Sequence, residues 1–382
     1  MVSKISADPI RPSPQPSPGL PGEGVKAISE FDLPGLERVI GEWGCKPSHA
    51  GRILLAYYGA GGELDPQTLT LGKVLREKMS DHMPALGTKV LREHRSGDGT
   101  VKLLVGLGDG QAVESVLMPG YRKDRAAGCV SSQVGCAMGC DFCASGRGGL
   151  SRNLTSGEIV EQFLHLSGRA KLLGRRLASL VFMGMGEPLH NPQNVTAAIE
   201  RICHPRMGNL GWRNVTVSTV GIVPGIDALA EAKIPVCLAI SLHAPDDATR
   251  SRIVPINRRW PVAEVMAAAK RYQARTGRIT NVEYCLMDGV NDSDEQAIAL
   301  AELMRGFNAH VNVIPHNWIG LGISGVEYRK PAAARVERFV NLLRERQVVT
   351  HIRVARGDDV SAACGQLRER NEVDSLADKE IC

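Results

Sequence analysis

Aromatic residues are scarce: Phe, Tyr and Trp together make up 4% of the 382 residues. A chain so poor in rings is not built as a base-stacking platform for single-stranded nucleic acid. Long apolar runs are missing too. None reaches the roughly 18 residues needed to cross a bilayer, so no membrane span is expected. Neither sign of charge dominates: 46 basic against 41 acidic residues leave a net charge of +5. That balance permits a nucleic-acid partner without demanding one. The first stretch, MVSKISADPIRPSPQPSPGLPGEG, is rich in Pro and Ser and has no apolar core. It reads as a disordered leader over 1–26 rather than a secretory signal, and the expected compartment is the cytoplasm.

What is present is an ordinary globular composition, 43% hydrophobic, on a chain long enough for a large core. LPGLERVIGEWG, HAGRILLAYYG and LGKVLREKMSDHM repeat apolar residues every three or four positions, which predicts a small helical domain over 27–85. Its basic residues Lys46, Arg52, Lys73 and Arg76 are candidates for RNA contact. SGDG and GDG then break short apolar runs, which predicts a β-meander linker over 86–120.

From about Arg125 the pattern becomes regular. The strand-like runs AAGCVSS, LASLVFMGMG, NVTVSTVG, PVCLAISLHA, ITNVEYCLM and HVNVIPHN alternate with amphipathic helix candidates. The first of these helices starts at SGEIVEQF, with Ser156 as its expected N-cap. Such alternation implies parallel strands and a partial (βα)6-type TIM-like barrel over 121–368, followed by a mixed-charge disordered tail over 369–382. In a barrel, chemistry sits at the C-terminal ends of the strands. Unusual residues fall at those ends: the cysteine loop 136–143, Gly186-Glu187, Ser218, Ser241-Leu242-His243 and Asn317.

Ten cysteines in a reducing compartment are not a disulfide framework. Cys45, Cys203, Cys237 and Cys285 stand singly in apolar surroundings and read as small buried hydrophobes; Cys382 is assigned no role. GCAMGCDFC is different, with Cys136, Cys140 and Cys143 in a C-x3-C-x2-C spacing. Structural zinc sites usually want four ligands in paired knuckles, and no second knuckle is evident. Three thiolates on a four-iron cluster leave one iron open. Iron–sulfur, zinc and no metal are all compatible with the residues taken alone, with iron–sulfur favoured.

The spacing, with Phe142 ahead of the last cysteine, resembles the radical S-adenosylmethionine (SAM) superfamily. The longer stretches CVSSQVGCAMGCDFCASG, SRNLT, VFMGMGEPLHN, VTVSTVGIVPGI, LAISLHAPDDATRSRIVPIN and RGDDVSAACGQLR resemble the RlmN/Cfr family of RNA adenosine methyltransferases, and its RlmN branch most. The resemblance covers about Phe31 to Arg368. It implies a [4Fe-4S] cluster on Cys136, Cys140 and Cys143 and two SAM molecules per turnover. It implies methylation at C2 of an adenosine in 23S rRNA, and in tRNA for some members.

By the same resemblance Cys364 carries the methyl group as S-methylcysteine. Cys129 resolves the resulting RNA–protein link through a transient disulfide, and Glu114 accepts a proton from the base. Gly186, Glu187, Ser218, Ser241, Leu242, His243 and Asn317 match the family's SAM contacts. A flavodoxin-type electron donor and a monomeric, membrane-free enzyme are implied as well. The alternatives are C8 methylation as in Cfr members, another radical SAM reaction, or a zinc-binding, non-catalytic RNA-binding protein. One segment departs from the family pattern: His316 and a Gly-rich run to Gly325 replace its usual Trp-Asn-Pro and Phe-Pro-Gly elements.

Overall fold

The computed structural model describes residues 26–367. The leader expected over 1–26, Lys26 apart, and the tail over 369–382 lie outside the described residues. Three helices come first: α1 (Leu33–Glu42), α2 (Ala50–Gly59) and α3 (Lys73–His82). Asp32 caps α1 by accepting the Gly35 N–H at 2.8 Å, and Pro34 sits in the first turn, where its missing N–H is not needed. Leu36, Ile40, Ile53, Leu54, Leu75 and Met79 point inward and are buried. Two of the basic candidates have partners within the chain: Arg52 donates to Thr70 O at 2.9 Å, and Lys73 lies 3.7 Å from Glu77.

Ten strands form one sheet. β1 (Lys89–Arg95), β2 (Val101–Gly106), β3 (Ala112–Pro119) and β4 (Arg125–Cys129) pair antiparallel in succession. From β4 onward the pairing is parallel, through β7 (Arg176–Phe182), β8 (Val215–Thr219), β9 (Cys237–Ser241), β10 (Thr280–Leu286), β11 (Ala309–Pro315) and β12 (Thr350–Ile352). Between β4 and β7, β5 (Gln133–Gly135) and β6 (Leu150–Asn153) form a separate antiparallel ladder. The helices that follow the strands are α4 (Ser156–Leu172), α5 (Pro192–Cys203), α6 (Val223–Glu231), α7 (Asp247–Ile253), α8 (Val262–Thr276), α9 (Asp294–Met304) and α10 (Ala333–Glu345).

Strand β10 is buried at every position except Asn281, as a parallel strand covered on both faces should be. The sheet is open, with β1 and β12 at its edges, so the barrel is partial. The expected meander extends this same sheet through β3–β4 pairing. The cap of α4 is Thr155 rather than the expected Ser156. Thr155 and Glu158 form a reciprocal capping box, a T-x-x-E pattern that outcompetes the serine next to it. Glu161, buried on α4, ties the helical region to the barrel. It accepts from Ser29 Oγ at 2.6 Å and from the Gly87 and Thr88 N–H groups at 2.8 and 2.7 Å.

Candidate active site

The cysteine loop is closed at its base by the β5–β6 ladder and by Cys136 N–H donating to Gly149 O at 2.8 Å. Gly135 at that base has φ +74°, and a Cβ there would lie 2.0 Å from Gly149 O, so only glycine fits. Cys140 is buried, and Cys136 and Cys143 are half-buried. Burial pushes the Cys136 thiol up to about 12 and holds Cys140 well above its usual value, with the other two thiols adding to the effect on Cys140.

Among the described residues, no group of three His, Cys, Asp or Glu side chains is arranged to hold a single metal ion. A cluster sets a different requirement, because each thiolate binds a different iron. Three thiols on one short loop, all soft donors and none backed by a carboxylate ligand, fit that requirement by their chemistry.

Two elements hold the loop from outside. Asp141, between two of the cysteines, accepts the Ser324 N–H at 2.6 Å and the hydroxyls of Ser324 and Tyr328. Arg147 donates to the carbonyls of Ile319 and Leu321. Both anchors grip the 318–328 segment, which overlaps the His316–Gly325 run that departs from the family pattern.

A cavity with about 820 Å³ of empty space, its open mouth included, lies beside the loop. Cys140, Cys143, Gly186, Glu187, Ser218, Ser241, His243 and Cys364 all line it, drawn from five separate places in the chain. Glu187, in the turn that follows β7, is 3% exposed. Its carboxylate accepts the Leu189 and Val220 N–H groups at 3.0 and 2.9 Å, while burial raises it to about 7. Gly186 beside it has φ +98°, and a Cβ there would strike Gln133 Cβ at 2.6 Å. That close approach seats the turn on the Ser131–Gln133 backbone.

Ser218 and Ser241 face each other across β8 and β9 with Oγ atoms 3.2 Å apart. His243 accepts the Cys285 N–H on Nδ1 at 3.0 Å, which leaves its proton on Nε2. Burial, aided by the nearby Arg250 charge, lowers His243 to about 3, so the ring is neutral. Arg250 is itself fully buried. It donates to Val220 O, Ser241 O, Leu242 O and Asn257 Oδ1 at 2.6, 3.2, 2.9 and 2.7 Å, locking the ends of β8 and β9 together.

Cys364 reaches the cavity on a loop after β12. Asn317 Nδ2 donates to Cys364 O at 3.1 Å, and Ala144 N–H donates to Gly365 O at 2.7 Å, so the cysteine loop and the Cys364 loop are stitched together. Cys129 lies buried at the end of β4, its thiol pushed up to about 12 by burial first and by the nearby Cys364 second. Both thiols are free. Leu242, Asn317, Cys129, Cys136 and Glu114 stand outside the cavity wall itself. Glu114 is buried on β3 rather than solvated, and it pairs with Lys102 at 2.9 Å.

Glu283, Cys285 and His316 line the cavity as well: sequence reasoning passed over Glu283, read Cys285 as a small buried hydrophobe, and singled out His316 only as part of a loop that departs from the family pattern. Glu283, 4% exposed, accepts from Asn312 Nδ2 at 2.8 Å across β10 and β11. Burial raises this carboxyl above its usual range, with Arg353 opposing. A lone Glu inside the apolar run NVEYCL was the available signal.

Comparison with known proteins follows the same lines. The radical SAM superfamily profile matches residues 130–301. The "probable dual-specificity RNA methyltransferase RlmN 1" of Opitutus terrae is 50% identical, over 90% of this chain and 97% of its own length. The dual-specificity RNA methyltransferase RlmN of an Anaeromyxobacter species is 42% identical, over 94% of this chain and 92% of its own. A crystal structure of a radical SAM methyltransferase from Sphaerobacter thermophilus superposes with a TM-score of 0.85 at 43% identity, covering 90% of this chain and 99% of that one.

Proposed function

The chain belongs to the RlmN family, and from that premise we propose that it is a radical SAM RNA methyltransferase acting on C2 of an adenosine. The observation that carries the reading is the convergence of the cysteine loop, Glu187 and Cys364 on one cavity, with Cys129 behind Cys364. Cys136, Cys140 and Cys143 would hold the [4Fe-4S] cluster. Bound there with SAM, the cluster would supply the radical chemistry that an unreactive sp2 carbon such as adenine C2 requires.

The protein's own residues do the rest. Gly186 lets the backbone approach the SAM methionine end, and Glu187 offers a buried acceptor to its amine. The hydroxyls of Ser218 and Ser241 and the Nε2–H of His243 present polar groups to a ribose or carboxylate. The Cys364 thiol, once deprotonated, is the nucleophile that takes a methyl group. By the family resemblance Glu114, which stands outside the cavity wall and pairs with Lys102, is the acceptor of the proton that leaves the base. Once the methyl carbon on the Cys364 sulfur is joined to adenine C2, the RNA is tethered through that S–C bond. The Cys129 thiolate then attacks the Cys364 sulfur: the S–S bond forms, the S–C bond breaks, and the released carbon takes up a proton to become the methyl group on C2. On this reading the substrates are 23S rRNA and tRNA, the reductant is a flavodoxin-type donor, and the enzyme works as a cytoplasmic monomer.

The test is Cys129→Ala purified from cells. RNA should stay covalently attached through Cys364, detected as a nuclease-sensitive mass on that peptide. An iron-replete preparation with no attached RNA would sink the assignment.

A further inference from the structure

His316 is 3% exposed and lines the cavity, yet its Nε2 is buried without a hydrogen-bond partner in the protein. Everything else about the ring is fixed. Its backbone N–H donates to Leu286 O at 3.0 Å. Nδ1 lies 3.7 Å from Cys285 Sγ, and Tyr328 packs edge-on at 6.1 Å between ring centroids. We assign this contact as the Cys285 S–H donating weakly to Nδ1, which places the imidazole proton on Nε2. A buried polar nitrogen with no partner is costly, and this one differs from most of the other unpartnered polar atoms of the chain in facing the cavity.

We propose that His316 Nε2–H is a ligand contact that donates to an adenosine bound in this cavity. The inference rests on the function proposed above, because that reaction brings two adenosines to the site, one in SAM and one in the RNA. Both present the same acceptors, adenine ring nitrogens and ribose oxygens. A donor held in place by Cys285 and Tyr328 suits either. Cys285, which also lines the cavity, acts here as a positioning residue, since its thiol sets the tautomer of the ring. The assignment also gives a use to the point at which this chain departs from the family's usual sequence.

The experiment uses the cluster-loaded protein under anaerobic conditions and two variants. His316→Phe keeps the ring packing and removes the donor. His316→Gln keeps an amide N–H about where Nε2 stands. Two probes are titrated: S-adenosylhomocysteine, and an RNA hairpin with an unpaired adenosine. His316→Phe should weaken one of them about tenfold, the value of one hydrogen bond, while His316→Gln stays within about threefold of the parent. Weakening of S-adenosylhomocysteine assigns the contact to the cofactor; weakening of the hairpin alone assigns it to the substrate. Unchanged binding of both probes by His316→Phe overturns the proposal. Equal losses in the Phe and Gln variants overturn it as well, because packing then explains the residue. A parent protein that holds its cluster and binds S-adenosylhomocysteine but no RNA defeats the RNA reading instead, and leaves the cofactor arm intact.

Discussion

Lys102 and Glu114 form an ion pair at 2.9 Å inside the sheet, with side chains only 10% and 8% exposed. Lys102 Nζ also donates to Ser361 O at 3.2 Å, three residues before Cys364, so the pair touches the loop that carries the candidate nucleophile. Removing Lys102 takes away the cation that faces the buried Glu114 carboxylate at 2.9 Å. Lys102→Met should therefore cost about 3–5 kcal/mol in urea unfolding. The double variant Lys102→Met/Glu114→Gln should recover most of that loss, because no charge is then left buried. A Lys102→Met protein as stable as the parent would mean that the pair is effectively hydrated.

Arg250 joins the turns after β8 and β9 through four acceptors, among them the backbone of Ser241 and Leu242. Arg250→Met keeps the length of the side chain and removes every donor. The expected loss is more than about 3 kcal/mol, since several buried acceptors go unpaired at once. Affinity for S-adenosylhomocysteine should fall with it, because Ser218 and Ser241 are no longer held face to face. Calorimetric titration of a still-folded preparation checks the second effect separately from the first.

Much of the scaffold could be read ahead of the structure because its signals are local. Six strand-like runs alternating with helical periods required only periodicity. The cysteine spacing and the Gly186-Glu187 turn are contiguous in sequence. What stayed hidden depends on contacts between distant segments. The partner of Glu114 follows from β2–β3 register, which sets Lys102 opposite Val116 and diagonal to Glu114. The same holds for Glu283 and Asn312, neighbours only because β10 and β11 pair in that register. Cys285 reads as a core thiol in sequence, and it is buried, but its contact with His316 appears only when two strand ends meet.

His165 on α4 gives the protein a pH dependence away from the cavity. Its Nε2 lies 2.9 Å from Thr88 Oγ1, and burial first, then Arg169, lowers its pKa to about 4. The unfolded chain protonates this histidine near 6.5, while the folded chain resists until about 4. Stability from this group is therefore full above pH 6.5 and is lost as pH falls from there to about 4, by about 3 kcal/mol in all. His165→Gln should flatten that part of the profile. Urea midpoints at pH 7, 5.5 and 4.5 decide the matter, and parallel profiles for parent and variant would refute it.

Asp141 links the cysteine loop to the 318–328 segment, and this link should control how well the cluster is sheltered. The carboxylate gathers the Ser324 amide, the Ser324 hydroxyl and the Tyr328 hydroxyl, and these hydrogen bonds hold it ionised below the usual range against the opposing effect of burial. Bonds to a charged acceptor are the stronger kind, about 1.5–3 kcal/mol each. Asp141→Asn keeps the shape, removes the charge and replaces one acceptor oxygen with a donor. A loss of about 1.4 kcal/mol would raise the population of the opened segment roughly tenfold. Trp318 and Leu321 are 63% and 60% exposed, so chymotrypsin can report the opening directly. The variant should be cut in this segment several-fold faster, and its iron should pass to a chelator faster by a similar factor. Faster cleavage with unchanged iron release would show that the segment is anchored by Asp141 without protecting the cluster.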